Sequence, residues 1–183
     1  MQTKLFTILV SFLSLFCGDV NFVEFPVKPI VMPEILVQGT LPPEPFNPAD
    51  PFKSVDSSVS LLNDLKLIKE VARQEGGGKR FPPHYLPNGK IITSSAGAVG
   101  IMGIMPGNFK QCGGKETVHT LIGNIQCGDL VLHKFRRLAE AKIKNKEKAL
   151  HMALQWYNGG CRIGPATEKY ATEIMKRLGF ALE

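Results

Sequence analysis

Residues Leu61 to Gly78 read LLNDLKLIKEVARQEGGG. Leu61, Leu65, Ile68 and Ala72 recur at helical spacing, and Asp56, Ser57 and Ser58 ahead of them are candidate caps. The glycines Gly76, Gly77 and Gly78 end the helix. Extending the apolar stripe by three positions brings Glu75 onto the same face, whereas Glu70 lies about 200° round from Ile68 at ~100° per residue. Glu75 is therefore expected to point inward. A carboxylate on an apolar face, in the last turn of a helix whose C-terminal end is partially negative, meets desolvation and a dipole that both favour its protonated form. Such a group can serve as a general acid. A lone glutamate at a helix end otherwise simply reaches into water, so the rest of the chain must decide between the two.

Downstream, residues 76 to 93 read as a loop, marked by the glycine triplet, Pro82-Pro83, Pro87 and Asn88-Gly89. Ser94 to Gly107 reads SSAGAVGIMGIMPG. The small residues Ala96, Gly97, Ala98 and Gly100 permit close backbone approach, and Ile101, Met102, Ile104 and Met105 offer apolar surface. Read alone, this block is a tightly packed core helix stopped by Pro106. Asn124 is a candidate cap for a helix to about Ala141 with Ile125, Leu132, Phe135 and Ala139 inward. Lys146 to Tyr157 continues with Ala149, Leu150, Ala153, Leu154 and Trp156, then stops at Asn158-Gly159-Gly160. A last helix starts with Pro165 in its first turn, uses Ala166, Tyr170, Ile174 and Leu178, and ends at Gly179. Strand signals are scarce, and the fold class is mostly α.

The first third of the chain is different. Of 183 residues, the first 60 hold three bases against six acids, and the remainder holds 19 bases against ten acids. Lys4 precedes the uncharged, mostly apolar run Leu5 to Gly18, too short for the ~20 residues of a membrane-crossing helix and the right length for a secretory signal. Residues 1–18 are thus expected to be a signal peptide. Cys17 is a weak candidate for lipid attachment, because bulky Phe16 precedes it. Eight prolines between Val20 and Lys53 exclude a regular helix there, so residues 19–55 read as a Pro-rich linker ahead of a folded domain, 56–183. Export would expose Cys112, Cys127 and Cys161 to an oxidising compartment; spacing does not choose which two of them pair. No C-x-x-C or histidine cluster suggests a metal, and no cofactor is implied.

In order, these pieces resemble the lytic transglycosylase family, the soluble-transglycosylase or goose-type lysozyme-like group, over about residues 58 to 165. That family has a helix ending in a catalytic glutamate, then S-x-x-G-A-x-G-L-M-Q-x-M-P, then N-x-x-x-G, then A-Y-N-x-G. Glu75 takes the glutamate position. Ser94, Gly97, Ala98, Gly100, Ile101, Met102, Met105 and Pro106 match the second block, Asn124 and Gly128 the third, and Tyr157, Asn158 and Gly160 the fourth, with Trp156 for Ala. Two positions depart from the pattern: Gly76 stands where the family has Ser, and Gly103 where it has Gln. The gap between Glu75 and Ser94 is also longer, so an inserted loop, about Gly77 to Lys90, could line or cover a cleft.

The resemblance implies a lysozyme-like domain that acts on peptidoglycan glycan strands, cutting the β-1,4 bond between N-acetylmuramic acid and N-acetylglucosamine. Glu75 would be the catalytic residue, and Ser94, Met102, Gly103, Tyr157 and Asn158 the substrate-side residues. Most glycosidases need two carboxylates. Glu116 and Asp129 follow no motif of the family, and a single acid suits a transglycosylase, which makes a 1,6-anhydro sugar without water. The resemblance gives the Tyr157 hydroxyl the task of orienting the glutamate; by residue type alone it is equally a core tyrosine. Asn158 is either a sugar contact or, preferably, the helix C-cap. Met102 divides between cleft lining and packing, and Ser94 between substrate contact and helix start. Trp156 reads as packing.

A hydrolytic lysozyme and a non-catalytic wall-binding protein are the alternatives. The run Lys142, Lys144, Lys146, Lys148 reads as a solvated surface, and nucleic acid is not an expected partner. The expected location is the periplasm or cell envelope, in wall metabolism, phage assembly, conjugation or, by leaning, a secretion machine.

Overall fold

The computed structural model describes residues 51–52, 64–160 and 162–181. The expected signal peptide, almost all of the linker, Cys17, Cys161, and the candidate caps Asp56, Ser57 and Ser58 lie outside the described residues, as does Leu61. Among the described residues the fold is mostly α: helices α1 (Leu65–Glu75), α2 (Lys115–Val118), α3 (Leu121–Lys142), α4 (Lys146–Gly159) and α5 (Pro165–Leu178), with short 3-10 turns at Pro106–Asn108 and Lys110–Cys112. None of these helices is long and apolar enough to cross a membrane.

Asp64 caps α1, its side chain accepting from the Leu67 amide at 3.1 Å. Leu67, Ile68, Val71 and Ala72 enter the core, and the helix stops at Gly76, followed by Gly77 and Gly78 with φ of 81° and 83°. Glu70 is buried too, against the expectation from its angular position. Arg177 of α5 reaches it at 2.7 Å and Arg73 at 2.9 Å, so its charge is carried inward by two guanidinium partners. Arg177 also donates to the Gln74 side chain at 2.7 Å, which clamps α5 along α1.

Helix α3 packs against α4, and α4 against α5. At the α3–α4 corner Ala139, Ala149 and Ala153 bring the backbones close, flanked by Phe135 and Trp156, whose rings lie 6.4 Å apart. Trp156 is thus packing, with the Lys142 ammonium 5.6 Å from its ring centre. Lys142, Lys144, Lys146 and Lys148 are all exposed at this corner. Pro165 opens α5, and Gly179 closes it at φ 93°. Phe52 is fully buried, 5.3 Å from the Phe81 ring, so the folded domain takes Pro51 and Phe52 from the segment expected to be linker.

The block from Ser94 to Gly107 is not the expected core helix. Gly97, Gly100 and Gly103 have φ of 85°, 73° and 59°, a conformation that interrupts any right-handed helix. The chain folds instead into tight turns joined by isolated bridges, Thr93 to Val99 and Val99 to Ile104. Val99 and Ile104 exchange backbone hydrogen bonds at 2.9 Å each. Ser94 therefore begins a turn rather than a helix, its hydroxyl accepting from the Ala98 amide at 3.0 Å.

Asn124 does not cap α3; Thr120 does, accepting from the Gly123 amide at 3.0 Å. Fully buried, Asn124 accepts from the Met102 amide at 2.9 Å and donates to the carbonyls of Val99 at 3.0 Å and Val118 at 3.1 Å. A Cβ on Gly100 would fall 2.6 Å from the Asn124 side chain, and one on Gly128 would fall 2.5 Å from the Met102 side chain. The spacing of Asn124 and Gly128 thus places one polar staple and one gap on adjacent turns of α3, both facing the glycine-rich block. Cys112 pairs with Cys127, tying the second 3-10 turn to α3; the closed loop of 15 residues contributes about 3 kcal/mol in the chain-entropy account. Replacing Asn124 by Leu keeps much of the volume, orphans the buried Met102 amide and takes the side-chain donor from the Val99 and Val118 carbonyls, so urea denaturation should show a loss of about 2 kcal/mol or more, with an unchanged m value.

Candidate active site

Glu75 is the last residue of α1, and its side chain is largely withdrawn from solvent. Its Oε1 accepts a hydrogen bond from the Tyr170 hydroxyl at 2.7 Å. Tyr170 stands on the inward stripe of α5, 7% exposed. Burial pushes the Glu75 carboxyl above the ordinary glutamate range, opposed by the Tyr170 bond. The phenols of Tyr170 and Tyr157 are both pushed well above theirs, first by burial and then by the Glu75 charge. Both tyrosines are therefore fixed as hydroxyl donors around one acid.

Tyr157 is not the donor to Glu75. Its hydroxyl donates to the Met102 carbonyl at 2.8 Å. Although Tyr157 ends up close enough for the carboxylate charge to act on it, α5 carries Tyr170 into the direct contact. The signal in the sequence was the apolar stripe of α5: a tyrosine on it needs a buried partner, and Glu75 was the inward acceptor.

The other oxygen, Oε2, faces Gly103, where a Cβ would lie 2.5 Å away. Any side chain there, glutamine included, would occupy the place of the carboxylate in this arrangement, and the φ of 59° adds strain for a residue other than glycine. Gly76 has a similar reason. A Cβ on it would meet the Arg80 carbonyl oxygen at 2.0 Å and the Pro82 ring at 2.9 Å, because the long loop folds straight back over the helix end. The two departures from the transglycosylase pattern are thus steric consequences of the loop path and of the turn that meets Glu75.

Met102 is fully buried against Gly128, so its side chain packs and its carbonyl alone belongs to the site. Met105, 45% exposed, is the methionine of the block that reaches solvent. Asn158 lies inside α4, exposed, and the cap falls to Gly160 at φ 63°. Ser94 is exposed in its turn. Glu116 is exposed on α2. Asp129 lines a small cavity with Asp64 and Leu67 at the start of α1. The eleven steps from Asp64 to Glu75 span about 16 Å of helix, beyond the ~5 to 9.5 Å that separates paired glycosidase carboxylates.

The loop contributes one residue that sequence reading passed over. His84 is fully buried, and burial lowers its pKa, partly opposed by the His119 carbonyl and helped by the His119 ring. Among the described residues no group of three or more His, Cys, Asp or Glu side chains converges as a metal site. No protein-family model, no curated protein and no solved structure matches this chain.

The Tyr170 bond stabilises the ionised carboxyl, so Tyr170→Phe should raise the Glu75 titration midpoint further. Tyr157→Phe should move it less, since that hydroxyl is committed to Met102. Carbon-13 NMR titration of the Glu75 carboxyl distinguishes the two, and a larger effect from Tyr157 would reverse the assignment.

Proposed function

We propose that this mostly helical domain is a lysozyme-like domain and that the protein is an exported peptidoglycan lytic transglycosylase with Glu75 as its acid and base. The observation that carries the reading is a single desolvated carboxyl at a helix end, with one oxygen held by a tyrosine and the other facing a glycine. The four sequence blocks that resemble the family also meet here physically: α1 brings Glu75, the glycine-rich turn brings Gly103, α3 holds that turn through Asn124, and α4 brings Tyr157. This convergence supports the reading over a chance likeness of motifs.

With Oε1 occupied by Tyr170, the transferable proton sits on Oε2. Glu75 gives that proton to the glycosidic oxygen as the bond from that oxygen to C1 of N-acetylmuramic acid breaks. The neighbouring N-acetyl oxygen closes on C1 and is then displaced by the 6-hydroxyl of the same sugar. The Glu75 carboxylate takes the hydroxyl proton and is restored as the acid. Water does not enter, and the product ends in 1,6-anhydro-N-acetylmuramic acid. A raised pKa suits both halves, since such a carboxyl holds its proton until the leaving oxygen needs it and, once ionised, is a better base than an ordinary carboxylate. The exposed lysines suit a wall polymer with peptide carboxylates.

Glu75→Gln keeps the shape and removes the proton. It should abolish release of anhydro-muropeptides from purified sacculi, by mass spectrometry, and retained turnover sinks the assignment. Products one water heavier would indicate a hydrolytic lysozyme, and binding without soluble product would indicate a wall-binding protein. Because the folded Glu75 pKa is raised, its stabilising share is present below the unfolded carboxyl value and lost as pH rises through the folded one. The Gln variant should therefore melt higher than wild type at neutral pH, and the difference should shrink towards pH 4.

A further inference from the structure

The turn that faces Glu75 is held from its other side by the long loop that follows α1. His84 Nε2 lies 3.0 Å from the His119 carbonyl oxygen, and the Ile101 amide lies 3.4 Å from His84 Nδ1. A carbonyl can only accept and an amide N–H can only donate, so the two contacts require one neutral tautomer, with the proton on Nε2 and a bare Nδ1. Tyr85 reinforces the same anchor. Its hydroxyl donates to the His119 carbonyl at 2.9 Å, and its ring meets the His84 ring edge-on at 4.3 Å.

Ile101 is the residue between Gly100 and Met102 and is itself fully buried. Its amide carries the His84 side-chain bond to the turn between Gly100 and Gly103, beside the backbone bond from the Gly100 amide to the Ile92 carbonyl at 2.8 Å, while Asn124 bonds to the next amide from α3. Beyond those two amides the turn presents Gly103 to Glu75 Oε2 and the Met102 carbonyl to Tyr157. We propose that His84 is a positioning residue for Glu75: through the Ile101 amide it fixes the Gly100–Gly103 turn against the carboxyl, so that the inserted loop completes the acid's surroundings. His84 touches no reacting atom in this role. Its effect on turnover rests on the transglycosylase reading, whereas its effect on the carboxyl does not.

Long-range proton–nitrogen-15 spectra of the wild-type protein near neutral pH should show the His84 Nε2–H tautomer; the Nδ1–H tautomer overturns the proposal. In His84→Leu, which keeps bulk and loses both contacts, the Glu75 midpoint should fall towards an ordinary carboxyl as water reaches a loosened turn. On sacculi its kcat should drop roughly ten- to a hundredfold, as for a small misplacement of a catalytic group, with KM little changed. His84→Asn, whose side-chain oxygen can accept from the Ile101 amide, should recover most of both. A folded Leu variant with wild-type midpoint and kcat overturns the proposal, and so does an Asn variant no better than Leu. If the Leu variant fails to fold, the tautomer in the wild type and the carboxyl titration of the Asn variant still decide. If wild type releases no muropeptides, the transglycosylase reading falls while the tautomer and the midpoints continue to test His84.

Discussion

The side chain of Asn124 holds together a segment that has almost no regular structure of its own. From Thr93 to Met105 the backbone relies on isolated bridges and turns, and a buried backbone without a ladder must find partners elsewhere. One amide side chain from inside α3 serves two of them, the Met102 N–H and the Val99 carbonyl, and binds the Val118 carbonyl at the end of α2 as well. Everything that meets at Glu75 from the block's side, the Gly103 approach and the Met102 carbonyl, hangs from that staple. The position has to be a short amide: a carboxylate lacks the donor that Val99 and Val118 use, and an apolar residue lacks all three contacts.

The acid itself is set by a second arrangement, at right angles in logic to the first. Helices α1 and α5 are joined along their length by Arg177 with Glu70 and Gln74, and near the end of α1 by Tyr170 with Glu75. The ion pair keeps the helices in register, and the register delivers the phenol to the carboxyl. Glu70 and Glu75, five residues apart on one helix, thus have opposite fates. Glu70 meets two guanidiniums and stays paired, whereas Glu75 is pushed towards its protonated form by burial, against the opposing bond from a neutral phenol. Environment, more than residue type, separates the two carboxyls and leaves Glu75 the one suited to the proposed chemistry.

Much of this was legible in the residues. The inward stripe through Ile68 and Ala72, the starts and stops of α4 and α5, and the inward position of Glu75 follow from helical spacing, caps and glycines. The glycine-rich block was misread because small and large apolar residues alternating over fourteen positions mimic a packed helix, and a sequence does not reveal which glycines take positive φ. Asn124 was misread for a related reason, since an asparagine near a helix start is ordinarily a cap; only the loop folded over it makes it a core residue. The resemblance points to Tyr157 as the glutamate's partner and residue type leaves it equally a core tyrosine; the contact falls to Tyr170 because of the relative placement of α4 and α5, which helical spacing does not reveal. His84 carried no signal, because a lone histidine in a loop gains its meaning from the backbone groups it meets.

Phe52 gives the domain a mechanical property. Its ring is buried on Phe81, six residues beyond Glu75 along the loop, with the Lys69 ammonium of α1 5.6 Å from its centre. The chain at Phe52 is held in an aromatic seat built into the loop that turns back over Glu75. Tension applied at Phe52 would be borne first by Phe81 and then by the loop that carries His84, so a pull at this seat would reach the surroundings of Glu75 through one strut.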